Sequence, residues 1–91
     1  MKTVKQIEKH VKGIANHRRI EILFLVSDGQ GLTVNDIAKS IGCNFKTISG
    51  HISKLVNAGL LDKKYSGVNV LHSLSPYGKI FIKFLKDFRK L

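Results

Sequence analysis

The stretch LTVNDIAKSIGCNFKTISGHISKLVNAGLL, residues 32–61, leaves a chain little freedom. Val34, Ile37, Ala38 and Ile41 recur at helical spacing and mark the inner face of one short helix. Thr33 stands where it caps that helix, with Asp36 in the place usually taken by Glu or Gln. Gly42 ends the pattern, and only Gly42-Cys43-Asn44 separate it from a second one. There Ile48, Ile52, Leu55 and Val56 form an apolar stripe. Lys46, Thr47, Gly50, Ser53, Lys54 and Asn57 fall largely on the other side, with Ser49 and His51 flanking the stripe. Gly59 matches the left-handed glycine that closes a helix. Two helices this close, joined by a turn containing Gly, predict a helix-turn-helix corner over residues 33–58.

The flanks complete the pattern. Val4, Ile7, Val11 and Ile14 form one helical stripe, and Asn16 is placed to cap the next helix. That helix, RRIEILFLVSDG, is apolar nearly all round, which predicts the central core element. After Gly59, the runs LLDKKYS and VNVLHSLS around Ser66-Gly67 read as a β-hairpin, residues 60–75. Ser75-Pro76 then opens a last helix over residues 76–91, because Pro is tolerated where an N–H has no helical partner. Its Ile80, Phe81, Ile82, Phe84, Leu85, Phe88 and Leu91 supply more apolar surface than one packing face needs. The expected fold is mainly α with a small β-hairpin, in the order α-α-α-α-β-β-α, as one domain spanning residues 1–91. A hairpin directly after a helix-turn-helix makes this a winged helix-turn-helix.

Composition narrows the function classes. Cys43 is the only cysteine, which rules out a disulfide within the chain. A lone Cys and the charged start MKTVKQIEKH, with no apolar signal region, are expected of a cytoplasmic protein. The longest strongly apolar run, Ile22 to Val26, is far short of a membrane span, so no membrane partner is expected. The formal net charge is +10, which suggests a polyanionic partner, although a solvated Lys-rich surface gives the same total. The charge is uneven: residues 44–64 carry four basic and one acidic side chains, whereas residues 21–43 carry one basic and three acidic. There is no nucleophile–base constellation, no Gly-rich phosphate loop and no suggestive carboxylate pair, so enzyme chemistry is not expected. His10, His17, His51 and His72 show no metal-ligand spacing, and no metal or cofactor is expected.

From Asn16 to Leu74 the chain resembles the ArsR-type winged-helix transcriptional regulators. IANHRRIEILFLV is similar to their opening core helix, with Arg19 at the family's arginine. The Ser-x-His-aliphatic-x-x-Leu core at Ser49, His51, Ile52 and Leu55, and the ending Ala58-Gly59-Leu60, resemble their helix-turn-helix. Related regulators such as the MarR type share much of this pattern. The resemblance implies a homodimer on duplex DNA, with the fourth helix in the major groove and the wing on the minor groove. It also implies a transcriptional regulator, with repression the expected mode. The chain departs from the family's metal sensors. Its third helix, VNDIAKSIG, has no Cys, and residues 76–91 hold no His and only Asp87. No small-molecule effector is indicated.

Recognition of duplex DNA is expected from Asn44, Phe45, Lys46, Thr47, Gly50, Ser53 and Lys54. Short hydroxyls and amides can meet base edges, whereas Lys is a point charge suited to phosphate. Ser49 and His51 match family positions that touch DNA; a structural hydrogen bond at the edge of the core is the competing role. Gly50 either permits close backbone approach or is ordinary drift at a surface site. On the wing, Lys63, Lys64, Tyr65 and Asn69 are expected to meet the DNA backbone. A hairpin edge protected by lysines is the alternative there. Thr33, Arg18 and Arg19 are further backbone candidates; capping for Thr33 and pairing with Glu21 or Asp residues for the arginines compete. The terminal helices, residues 1–14 and 76–91, form the expected dimer seam, with Val4, Ile7, Val11 and Ile14 meeting Phe81, Phe84, Leu85 and Phe88. A two-fold dimer would favour an inverted-repeat site. The other functional reading is a winged-helix module for protein contact or for nonspecific nucleic-acid architecture.

Overall fold

The computed structural model describes residues 1–91 and has the expected element order. The elements are α1 (Val4–Ile14), α2 (His17–Asp28), α3 (Val34–Ile41), α4 (Phe45–Asn57), β1 (Leu61–Ser66), β2 (Asn69–Leu74) and α5 (Pro76–Arg89). Each helix begins where a side-chain oxygen can satisfy its unpaired N–H groups. Asn16 Oδ1 accepts from the amides of Arg18 and Arg19, and Asn44 Oδ1 accepts from Thr47. Thr33 and Asp36 form a reciprocal capping box with both bonds at 3.0 Å. Bonding to the Thr33 backbone amide, then to its hydroxyl, holds the Asp36 carboxyl below its ordinary range. A second box, Thr3 with Gln6, starts α1.

α4 ends in a Schellman motif. The Gly59 amide donates to the Val56 carbonyl at 2.9 Å and the Leu60 amide to the Leu55 carbonyl at 3.0 Å. The motif needs a left-handed residue, and Gly59 has φ +76°. The turn sends Leu60 and Leu61 straight into the core, where both are fully buried.

α2 is the central element, with Ile22, Leu23 and Val26 fully buried. Ile37 from α3 and Ile48 and Leu55 from α4 close around it. Each aliphatic side chain taken fully out of water stabilises the fold by about 1.5–3 kcal/mol. Two glycines let backbones meet. A Cβ at Gly13 would collide with Ala58 at the end of α4, and a Cβ at Gly78 would collide with the Leu60 carbonyl. Beside that contact Ser75 Oγ donates to the Gly59 carbonyl at 2.6 Å and accepts from the Gly78 amide at 2.9 Å. The start of α5 is therefore bonded to the end of the helix-turn-helix.

β1 and β2 pair antiparallel from Leu61↔Leu74 to Ser66↔Asn69, around Gly67-Val68. Gly67 takes φ +61°, the backbone needed at the first position of a tight hairpin turn. The two-strand reading of the wing omits one partner. Leu32 bridges His72 as a third, one-residue rung. The His72 amide and its Nδ1 both reach the Leu32 carbonyl, at 2.7 and 2.9 Å, and the His72 carbonyl accepts from Gly31 and Leu32. His72 is buried, on the face of β2 that it shares with Leu74.

The terminal stripes need correcting. Ile14 is only 8% exposed and belongs to the chain's own core, not to the free surface expected of a seam residue. Phe81 and Leu85 are half-buried against the same core. Val4, Ile7 and Val11 on α1 remain exposed, as do Ile80, Phe84 and Phe88 on α5. The contact between the terminal helices runs instead through His10. Its ring lies 5.0 Å from that of Tyr77 and 6.4 Å from that of Phe81, and its Nδ1 meets the Ala58 carbonyl at 2.6 Å.

Candidate nucleic-acid interface

α4 is two-sided. Ile48, Ile52 and Leu55 are buried, and Phe45, Lys46, Thr47, Gly50, Ser53 and Lys54 are all exposed. No atom lies within 4 Å of where a Gly50 Cβ would stand, so that part of the helix is open to whatever approaches it. The outer face offers hydroxyls, amides and ammonium groups, and no carboxylate. Such a surface presents donors and acceptors to base edges and cations to phosphates.

Several expected contacts are already engaged within the chain. The Asn44 side-chain oxygen accepts the Thr47 amide in the α4 cap, and its amide N–H groups have no partner within the chain. The Thr33 hydroxyl accepts the Asp36 amide, so capping is its observed role. Arg18 pairs with Glu21 at 3.0 Å on an exposed surface, and its hydrogen bond to Glu21 is the main reason its pKa is raised. Arg19 does not pair with an acid. Its Nε donates to the Gly13 carbonyl at 2.7 Å, and its Nη1 lies 3.3 Å from His51 Nδ1. Sequence reasoning missed this link because the two residues are 32 positions apart.

The Arg19 contact sets the chemistry of His51. A guanidinium has no acceptor, so His51 Nδ1 must accept and the ring proton must sit on Nε2. Burial first, then the nearby charges of Arg19, Lys54, His17 and Arg18, hold the His51 pKa below its ordinary value. His51 is therefore a neutral, oriented donor on the flank of α4. Ser49 is half-buried beside the stripe.

On the wing, Lys63, Lys64, Tyr65 and Asn69 are all exposed. The tip residue Val68 is fully exposed as well. β1 is open on both faces beyond Leu61, which leaves its lysines free to turn toward either side. α4 and β1 are neighbours in the fold, joined only by Ala58-Gly59-Leu60. No group of three or more His, Cys, Asp or Glu side chains is arranged to hold a metal ion. No helix is long and apolar enough to cross a membrane.

Comparison with known proteins places this arrangement. The family model for bacterial regulatory proteins of the arsR family matches residues 16–63, from the α2 cap into the wing. No curated protein matches at a significant level. Among solved structures, the homodimeric winged helix-turn-helix DNA-binding domain from Mycobacterium bovis is 25% identical with a TM-score of 0.82, covering 96% of this chain and 80% of its own. Reduced HlyU from Vibrio cholerae is 25% identical with a TM-score of 0.82, covering 92% and 88%. The transcriptional repressor PagR of Bacillus anthracis has a TM-score of 0.82 at 22% identity, covering 90% and 94%, a likeness of fold. The family and these structures are regulators and DNA-binding domains rather than enzymes.

Proposed function

Because the chain belongs to the arsR family of bacterial regulatory proteins, we propose that it is a transcriptional repressor that binds a specific duplex site as a homodimer. The observation that carries this reading is the two-sided α4, with an apolar face locked into the core and a carboxylate-free polar face turned out. In this reading Thr47, Ser53 and the Asn44 amide read bases, while Lys46 and Lys54 hold phosphates. Ser49 and the His51 Nε2–H add directed bonds at the flank. Gly50 lets the helix backbone come close. Lys63, Lys64, Tyr65 and Asn69 follow the backbone from the wing, and Arg18 adds charge beside α4. Few of these groups are bidentate readers, so direct readout is modest and much of the affinity comes from phosphates.

The exposed apolar residues Val4, Ile7 and Val11 on α1 and Ile80, Phe84 and Phe88 on α5 support the dimer. A second copy that covers them sets two α4 helices about 34 Å apart along the duplex, which selects an inverted repeat. Repression then follows from occupancy of a promoter.

The test is a binding titration at several salt concentrations with two duplexes: the DNA upstream of the protein's own gene and a shuffled fragment of the same length. The expected result is a preference of about a thousandfold or more for the native fragment. Equal affinities with a steep salt dependence would assign the chain to nonspecific architectural binding. No binding to either would leave a protein-contact module.

A further inference from the structure

Beside the C-terminal half of α4, α1, α2 and α4 line an open cleft of about 250 Å³, of which the helix-turn-helix reading uses only Lys54. Lys9 and Lys12 line it from α1, Arg19 from α2, and Lys54 and Asn57 from α4. No carboxylate lines it; Glu8, the nearest acid on α1, makes only a loose 3.7 Å pair with Lys12 while both side chains stay exposed. Four cations drawn together from three helices repel one another unless something neutralises them. The helices that carry them are held together, and one of the cations is fixed in place. Gly13 lets α1 close on Ala58, and the Arg19 guanidinium is held at Nε by the Gly13 carbonyl and at Nη1 by His51. Those two bonds leave Nη2 free for a further acceptor.

We infer that this cleft is a phosphate cradle for the DNA backbone, extending the contact surface from α4 onto the N-terminal helix. The inference rests on the DNA-binding reading above. Lys54 belongs to both surfaces, so a strand tracked by the outer face of α4 passes onto Lys9 and Lys12 without leaving basic territory. Asn57 adds an amide donor where α4 ends. A tetrahedral oxyanion suits the site, because several N–H donors converge on a hollow with no competing acid. Such contacts carry no sequence information; they set register and add salt-dependent affinity. The inference also gives the basic residues of α1 a task separate from its apolar stripe.

The test uses the full chain with the native and shuffled duplexes. Lys9→Gln together with Lys12→Gln is expected to weaken binding roughly ten- to thirtyfold near 0.15 M salt, and to flatten the slope of log affinity against log salt by about one to two. The loss should be equal for both duplexes, since phosphates are not sequence-specific. Lys83→Gln together with Lys90→Gln on α5 removes the same charge elsewhere and should cost markedly less. All four lysines are exposed, so thermal melts should show every variant folded. If wild type binds and the α1 pair leaves affinity and slope unchanged, or matches the α5 pair, the cradle is wrong and the DNA reading stands. If wild type binds no duplex, both fall together.

Discussion

α4 and α5 are nearly the same length, 13 and 14 residues, and each lays one apolar face on the same core. Their outer faces differ. α4 turns out Lys46, Thr47, Gly50, Ser53 and Lys54, whereas α5 turns out Ile80, Phe84 and Phe88 among its lysines. The Phe84 and Phe88 rings stack at 5.8 Å while each remains more than 60% exposed. Water solvates the first surface well and the second poorly. Exposure alone therefore does not identify a binding face. The chemistry left in solvent indicates the kind of partner: a polyanion for α4 and an apolar surface for α5.

The largest effect should come from the face the two helices share. Leu55→Ala on the inner side of α4 removes a fully buried side chain, and should cost about 2–5 kcal/mol in denaturant unfolding. A loss under about 1 kcal/mol would mean that the inner face of α4 is not packed as described. Next is the outer face of α5. Phe84→Asp with Phe88→Asp should convert a dimer to a monomer by light scattering, and weaken binding to a palindromic duplex by about a hundredfold or more through lost bivalency. A variant that stays dimeric would place the seam elsewhere. On the outer face of α4, Lys46→Gln should weaken DNA binding about fivefold and flatten the salt slope by about one, with little change in melting. The same substitution at Lys79 on α5 should do less. Gly50→Ala should separate stability from function: filling open space on a helix adds about 0.5–1 kcal/mol, while DNA affinity falls if the backbone must come close.

The smallest effect is a pH dependence. The folded chain holds His51 below its ordinary pKa, so between that lowered value and about 6.5 the unfolded chain binds more protons. The stabilising effect of the neutral ring is intact above the unfolded value and is lost as pH falls through the folded one. Thermal melts of wild type should drop over this range more than those of His51→Gln. Parallel curves would show that burial and the neighbouring positive charges do not hold the ring neutral.

What was legible in the sequence follows the distance between partners. Asn16, Thr33 with Asp36, and Gly59 act on backbone two or three residues away, and their types announce their roles. The apolar stripe of α4 was legible for the same reason, since Ile48, Ile52 and Leu55 recur within one helix. Ile14 was misread because a stripe shows that a face is apolar without showing what covers it. Arg19 with His51, Gly13 against Ala58, and Leu32 with His72 are all contacts across the chain, and no single-residue preference encodes them. The exposed polar face of α4 was thus readable in the sequence, while the contacts that hold it from behind were not.

The Leu32–His72 rung closes a loop whose ends lie 40 residues apart and which contains the entire helix-turn-helix and most of the wing. Helices α3 and α4 pack on one another across a short turn, but this closure must wait until the chain between its ends is collected, because the entropy of joining them comes before any reward. The rung is the clasp of a necklace: the beads take shape separately, and fastening it sets the angle at which they hang. In hydrogen exchange the Leu32 and His72 amides should open only when that whole loop comes undone, so their protection reports on the integrity of the helix-turn-helix and wing as a unit.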